Sequence, residues 1–378
     1  MTASFQREAS LRRGRADSTD RLYLRPLGLL EGEAAEASIA AGLAIRLAGA
    51  ARAFSLADLY LRRADGRITA IAATPLQLRD WAADEGLTDK VEAWFARLSM
   101  PRPDFAGLAM DRPQIMGVVN VTPDSFSDGG DFLDPDRAIR QAQALAEAGA
   151  SILDIGGEST RPGSAEVPAD EEQARVVPVI RALAGSGAAI SIDSRRAFVM
   201  AAALDAGAGI VNDVTALTGD PGTGDTGSLD LVAARQAPTI LMHMRGTPQT
   251  MQNDPDYRFA PLDIYDYLEA RVEACLAAGL PLSHIAIDPG IGFGKTVRHN
   301  LELLSHLALF HGLGCPVLLG VSRKGFIGKL SRGEEPKRRV PGSLAAALEG
   351  ARQGVQMIRV HDVDETRQAL AIAGAIAD

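Results

Sequence analysis

Eight short apolar runs recur through the last two thirds of this chain, separated by stretches of helical composition. The runs are "QIMGVVNV", "ASILDIGG", "AISIDS", "GIVNDV", "TILMHM", "HIAIDPG", "PVLLGVS" and "QMIRVHD". Between them lie segments such as "DRAIRQAQALAEAGA", "DEEQARVVPVIRALA" and "PLDIYDYLEARVEACLAAGL", rich in Ala, Leu, Glu and Arg. A strand that is apolar at nearly every position must be covered on both faces, which is the mark of a parallel sheet built from β-α units. Eight such units in roughly 250 residues match a closed (β/α)8 barrel. An open doubly wound sheet is the alternative, and the strand count favours the barrel. The fold class is therefore α/β, with a TIM barrel over residues 114–378.

A smaller unit precedes the barrel. Residues 1–20 hold several arginines and no apolar core segment, which predicts a disordered tail and no secretory signal. An organelle-targeting peptide is the alternative for this stretch. Residues 21–100 mix strand-like patterns ("RLYLRPLGLL", "FSLADLYLRR") with helical ones, as in a small α+β domain. In "TPLQLRDWAADE" the Thr-Pro pair suits a helix N-cap and first helical position. Val91, Trp94, Phe95 and Leu98 fall at helical spacing. Both tryptophans, Trp81 and Trp94, are expected in this domain's core, and no polar cluster gives it an activity. Residues 101–113 carry Pro101, Pro103 and Pro113 and are expected to be a linker.

The net charge of −9 argues against a general nucleic-acid binder. No apolar run approaches the roughly 20 residues that span a bilayer. Cys275 and Cys315 are the only cysteines in 378 residues, too few for a disulfide framework, and they point to a reducing compartment.

In a (β/α)8 barrel the active site lies at the C-terminal ends of the strands. Each of the eight runs ends on polar residues. The first ends on Asn120 and the second on Glu158, Ser159, Thr160 and Arg161. Asp193 and Ser194 end the third, and Asn212 and Asp213 the fourth. His243 ends the fifth and Asp288 the sixth. Ser322, Arg323 and Lys324 end the seventh, and Arg359, His361 and Asp362 the eighth. A buried polar group costs free energy unless paired, so polar residues at one end of every strand imply a polar pocket. Asp193, Asn212, Asp288 and Lys324 suit a flat, nitrogen-rich heterocycle, whose amino-pyrimidinone edge can give two N–H groups to one carboxylate. Asn120, Arg359 and His361 suit a phosphate or pyrophosphate. A Mg²⁺ ion would help there, with Asn120 supplying a neutral oxygen.

Blander readings stand beside these. "DPGIGFGK" is also what a Gly-rich turn without a ligand looks like, and it lacks the Walker spacing. His243 reads as a hydrogen-bonded core histidine. Asp362 suits orienting His361 or capping the last helix, and Glu158 suits bracing a loop. The chain has no HExxH or paired CxxC motif and no G-x-S-x-G elbow, so covalent serine catalysis is not favoured.

The blocks "VVNVTPDSFSDGG", "GGESTRPG", "IDS", "ND", "MHMRGTPQTMQ", "DPGIGFGK", "SRK" and "IRVHDV" stand in the order seen in dihydropteroate synthases of the folate pathway, and the chain from about Gln114 onward resembles that family. The resemblance implies a generally dimeric TIM-barrel transferase of the cytoplasm, using Mg²⁺ and acting on small molecules. Such enzymes condense 6-hydroxymethyl-7,8-dihydropterin diphosphate with p-aminobenzoate. It further implies pterin contacts at Asp193, Asn212, Asp288, Lys324, Arg359 and Met242, and diphosphate contacts at Asn120, Arg359 and His361, with the metal at Asn120. Thr160, Arg161, Pro162, Ser322, Phe126 and Phe293 would surround p-aminobenzoate. Asp193, Lys324, Arg161 and Asn120 would carry the catalysis. Ile291 stands where the family commonly has Phe, Gly325 where a larger or polar residue is common, and Ser194 where Thr is frequent. A barrel that passes a methyl group from a methyl-folate to a corrinoid protein is the rival enzyme. A folate-binding or partner-binding paralogue without activity is the non-enzymatic one.

Overall fold

The computed structural model describes residues 5–8, 11, 16–17, 19–122, 135–159, 163–220, 224–247 and 249–377. The first sheet is made of β1 (Phe5–Glu8), β2 (Arg21–Glu31), β3 (Ile45–Arg46), β4 (Arg52–Arg62) and β5 (Ile68–Ala73), with α1 (Gly32–Ala40) after β2. Its order is β1-β5-β4-β2, with β3 on β4. α2 (Pro75–Glu85) and α3 (Thr88–Ser99) follow. Thr74 caps α2 as the Thr-Pro pair predicts. Its hydroxyl accepts the Gln77 N–H at 3.2 Å, and the Gln77 side chain accepts the Thr74 N–H at 2.9 Å.

Strand alternation decides what this sheet touches. Leu22, Leu24, Leu59, Leu61 and Ile71 pack with Trp81, Phe95 and Leu98 into the small domain's own core. Their neighbours Tyr23, Tyr60, Ile68 and Ala70 point the other way, into the core of the barrel. The contact is also polar. The Tyr23 hydroxyl donates to Asp266 at 2.8 Å, and Arg62 spans Asp266 at 2.6 Å and Asp263 at 2.7 Å.

Two expectations change here. The predicted tail is ordered over Phe5–Glu8, which forms β1 in parallel register with Ile68–Ile71. The unpaired edge of β5 offers the hydrogen bonds that composition could not foresee. The predicted linker is a plug. Phe105 and Met110 are buried with Met116, Ile152, Ile210, Ile240, Ala286, Leu318 and Met357, residues at the N-terminal ends of the barrel strands. Phe105 and Leu108 exchange backbone hydrogen bonds of 2.9 Å, so the segment folds back under the barrel floor. Buried Arg102 donates to the His311 carbonyl at 2.9 Å, fastening the segment from the side.

The barrel strands are β6 (Gln114–Asn120), β7 (Ile152–Gly156), β8 (Ala189–Asp193), β9 (Ile210–Asp213), β10 (Thr239–Met242), β11 (Ile285–Asp288), β12 (Leu318–Gly320) and β13 (Met357–Val360). All ladders are parallel in the order β11-β10-β9-β8-β7-β6-β13-β12, and a parallel bridge between Ile287 and Val317 closes the ring. The covering helices are α4 (Pro135–Glu147), α5 (Ala169–Leu183), α6 (Ala197–Ala206), α7 (Ser228–Arg235), α8 (Ala260–Ala277), α9 (Val297–Leu304), α10 (Gly325–Leu330), α11 (Val340–Arg352) and α12 (Val363–Ala377). No helix among the described residues is long and apolar enough to cross a membrane.

Candidate active site at the barrel mouth

Register delivers the strand ends to one level. Asp193 lies opposite Asn212, Met242 opposite Asp288, Gly320 opposite Arg359, and Asn120 opposite Gly156. The structure thus gathers Asn120, Asp193, Asn212, Met242, Asp288 and Arg359 at the C-terminal mouth. Ser322, Lys324 and His361 stand on the turns just beyond it. Phe126, Thr160, Arg161 and Pro162 lie outside the described residues.

Arg359 is the centre of the mouth. Its Nε donates to Asp154 Oδ2 at 2.6 Å and its second arm donates to Asp193 Oδ2 at 2.7 Å. Asp154 also accepts the Asn212 side-chain N–H at 3.1 Å. Asp154 is not among the polar strand-end residues. It sits in mid-strand within "ILDIG", fully buried, and its charge among apolar neighbours was the available signal. Burial raises the pKa of Asp193, with Arg359 opposing the shift and Asp154 adding to it. Arg359 itself is held cationic by Asp154 and Asp193 against the cost of burial.

The opposite wall is built by the 288–295 turn. Asp288 accepts the Gly290 N–H at 2.7 Å. Gly290 has φ +68° and packs against the His243 carbonyl with no room for a Cβ. The Lys324 ammonium donates to the Ile291 carbonyl and lies 4.2 Å from the centre of the Phe293 ring. Burial lowers its pKa to about 8, with Asp288 opposing that shift, while Asp288 is raised by burial of its own. Ile291 is fully buried in the barrel core and reaches the mouth only through its backbone, so its departure from the family pattern is a packing matter. His243 has the structural role expected of it. Its ring nitrogen Nδ1 meets the buried Lys295 ammonium at 2.9 Å, its ring faces Tyr267, and burial holds it neutral. Lys295 also donates to the carbonyls of His243 and Phe293, which pins the turn.

Just after the eighth strand, the His361 N–H donates to Ser322 Oγ at 3.2 Å, and Ser322 Oγ lies 3.0 Å from His361 Nδ1. Arg323 is tied to the neighbouring turn. It pairs with Asp362 through Nε at 3.0 Å, in a left-handed conformation with φ +59°. Arg323 and Asp362 therefore splice the seventh and eighth turns together.

A second network supports the loop after β7. Arg196 is fully buried and pairs with Glu172 at 2.5 Å, Asp220 at 3.0 Å and Glu158 at 3.2 Å. Arg195 reaches Glu158 at 2.8 Å and Asp220 at 3.1 Å. Glu158 thus braces its loop, accepting the Val167 N–H at 2.9 Å as well. Asp213, despite its strand-end position, accepts from Thr215 and Leu217 and shapes its own turn.

A closed parallel barrel whose mouth carries acceptors and cations for a flat polar heterocycle is the class of a pterin-binding enzyme, and residues 116–361 match the family described as pterin binding enzyme. A dihydropteroate synthase of Neisseria meningitidis serogroup B is 47% identical over 276 residues, covering 71% of this chain and 94% of the relative. That of Escherichia coli K12 is 42% identical over 269 residues, covering 71% and 93%. Among solved structures, the Xanthomonas albilineans dihydropteroate synthase with 4-aminobenzoic acid superposes with a TM-score of 0.67 at 46% identity, covering 73% of this chain and 98% of that one. The same organism's enzyme in complex with 7,8-dihydropteroate gives 0.65 at 44% identity. The chain belongs to the dihydropteroate synthase family. The uncovered part is chiefly the N-terminal sheet domain, which lies outside the 116–361 match.

Proposed function

We propose that the chain condenses 6-hydroxymethyl-7,8-dihydropterin diphosphate with p-aminobenzoate to give 7,8-dihydropteroate and pyrophosphate. The observation that carries this reading is the Arg359 bridge between Asp154 and Asp193, facing Asp288 and Lys324 across the mouth. Acceptors, a donor and a planar cation gathered at one end of the barrel support a pterin as the ligand. A corrinoid methyltransferase would have no use for a diphosphate subsite made of Asn120, Arg359 and His361.

The pterin edge is bound by Asp193, Asn212, Asp288 and Lys324, with Met242 and the Arg359 plane against its face. Asn120, Arg359 and His361 take the diphosphate. The bond from the exocyclic carbon to the diphosphate oxygen breaks first, and its electron pair leaves with pyrophosphate. The carbon's positive charge is spread over the dihydropterin ring and faces the Asp193 carboxylate, charge placed where charge develops. The p-aminobenzoate nitrogen then bonds to that carbon and gives up one proton. An aryl amine is a weak nucleophile, which suits a route that demands little push. Arg161, with Thr160, Pro162, Phe126, Phe293 and Ser322, is assigned to the p-aminobenzoate side.

Mg²⁺, when bound, supplies positive charge to the diphosphate and orders its oxygens. Asn120 is the protein oxygen that would hold it. Among the described residues no three His, Cys, Asp or Glu side chains form a cage, and a single neutral oxygen fits an ion carried mostly by water and substrate phosphate. We place the enzyme in the cytoplasm, supported by two buried free thiols, and as a homodimer, as the family resemblance implies. Sedimentation of the purified chain tests the dimer.

The test of the reaction is direct. The purified chain is incubated with the pterin diphosphate, p-aminobenzoate and Mg²⁺. Dihydropteroate and pyrophosphate in equal amounts are expected. Binding of the pterin diphosphate with no product would support the inactive-paralogue reading instead.

A further inference from the structure

A cavity of about 360 Å³ lies where the N-terminal sheet meets the barrel, between the strands of that sheet, the start of α8 and the length of α9. It is separate from the barrel mouth and shares none of the residues placed there. Its walls are of two kinds. Phe5, Tyr60, Phe259 and His306 form an aromatic group, with Phe5 and Phe259 5.5 Å apart, Tyr60 and Phe259 6.0 Å, and Phe259 and His306 5.2 Å between ring centres. Phe5 is 47% exposed, a large apolar ring left partly in water at the rim. The second kind is guanidinium.

Four arginines, Arg7, Arg25, Arg258 and Arg298, line the space. Arg7 and Arg25 share one carboxylate, that of buried Asp58, at 3.1 and 3.4 Å. Arg298 pairs with Glu302 at 2.7 Å. The Arg258 backbone N–H donates to Asp263 Oδ2 at 2.8 Å, while its guanidinium forms no ion pair with a carboxylate among the described residues. It lies against Gly66, whose missing side chain leaves the room for it. Four guanidinium groups thus face two carboxylates, an excess of two positive charges, in a chain whose net charge is −9. His306 adds none, since burial and Arg25 push its pKa down to about 3. A low-dielectric concavity of one sign concentrates ions of the other.

We propose that this cavity is a second ligand site, for a small planar aromatic anion of one or two rings bearing a carboxylate or phosphate. The volume stands at the lower end of the range for small-ligand pockets, which suits such a molecule. The ring would lie against the exposed side of the Phe5–Phe259 pair, with buried Tyr60 behind it, and the acid group would meet Arg258. The site exists only because β1 completes its wall, so it belongs to the N-terminal domain's docking on the barrel. Tyr257, next in sequence to Arg258, donates its hydroxyl to the Gly294 carbonyl at 2.8 Å in the turn that shapes the active site.

The proposal is independent of the condensation reaction and is tested by binding alone. Isothermal titration calorimetry of the full chain would use 2-naphthoate as the planar anion and 2-naphthamide as its neutral counterpart. With p-aminobenzoate saturating to occupy the barrel's own aryl-carboxylate subsite, naphthoate is expected to bind with one-to-one stoichiometry. Arg258→Ala, at an exposed position, is expected to weaken it about tenfold or more, Arg258→Lys less. Lys324→Ala, in the barrel mouth, is expected to leave it unchanged, and the amide to bind at least tenfold more weakly. The proposal is overturned if naphthoate does not bind at millimolar concentration, if Arg258→Ala binds it like the parent, or if Lys324→Ala is the variant that loses it.

Discussion

Arg359 and Asp154 meet at 2.6 Å beneath the barrel mouth, the carboxylate fully buried in mid-strand and the guanidinium reaching up from the eighth strand. The same guanidinium touches Asp193 at 2.7 Å, so the fully buried residue sets where the half-buried pair sits. Asp154→Ala should leave Arg359 with one partner and Asn212 without its acceptor. A misplacement of about 1 Å costs roughly 100-fold in rate. A fall of that order in kcat/KM is expected, checked by steady-state kinetics with the pterin diphosphate varied. Unaltered kinetics would remove Asp154 from this positioning role.

Asp193→Asn keeps the shape of the side chain and removes its charge. Turnover should drop strongly while thermal unfolding stays close to the parent's. Near-normal turnover would rule out the carboxylate as the group that stabilises the developing cation.

Lys324 carries the pH dependence on the alkaline side. Burial lowers its pKa to about 8, so the ammonium is present at pH 7 and is lost as pH rises through that value. The rate at low pterin concentration should therefore decline above about pH 8. Lys324→Arg cannot deprotonate in this range and should abolish that limb whatever it does to the rate. A pH profile with the same limb in both proteins would assign the titration to another group.

Arg196 is expected to be a stability residue. It is fully buried among Glu158, Glu172 and Asp220; Arg196→Met would leave Glu172 without its cation, and Glu158 and Asp220 with Arg195 alone. Breaking a buried ion pair from one side typically costs about 3–5 kcal/mol. Urea unfolding followed by circular dichroism measures the loss, and a change under about 1 kcal/mol would contradict the geometry.

Phe105 tests the floor of the barrel. Its ring is wholly buried against the strand starts, and Phe105→Ala should destabilise by about 3–5 kcal/mol, as expected for a large core deletion. A true linker residue would lose almost nothing in the same measurement.

Much of this is legible in the sequence. Runs such as "AISIDS" and "HIAIDPG" announce a parallel barrel because a strand buried on both faces has no polar face to keep. Asp193, Asn212, Asp288 and Arg359 were legible because each interrupts such a run at its end. Asp154 was not, because nothing local distinguishes a mid-strand carboxylate that will be paired from one that cannot be tolerated. Its partner lies 205 residues away. Arg323 misled for the same reason. A charge at a strand end implies a pocket until a neighbouring turn supplies Asp362.

The sequence by itself determined the eight-fold alternation, the polar strand ends and the helix that Thr74 and Pro75 begin, because these rest on periodicity and local backbone chemistry. Only the tertiary structure decided that residues 101–113 plug the barrel, that Phe5–Glu8 becomes a strand, and that Tyr23 and Tyr60 face the barrel while Leu22 and Leu59 face away. Each of these depends on a partner surface distant in the chain. The free energy of covering an apolar floor or satisfying an open strand edge belongs to the pair, and neither half carries it in its own residues.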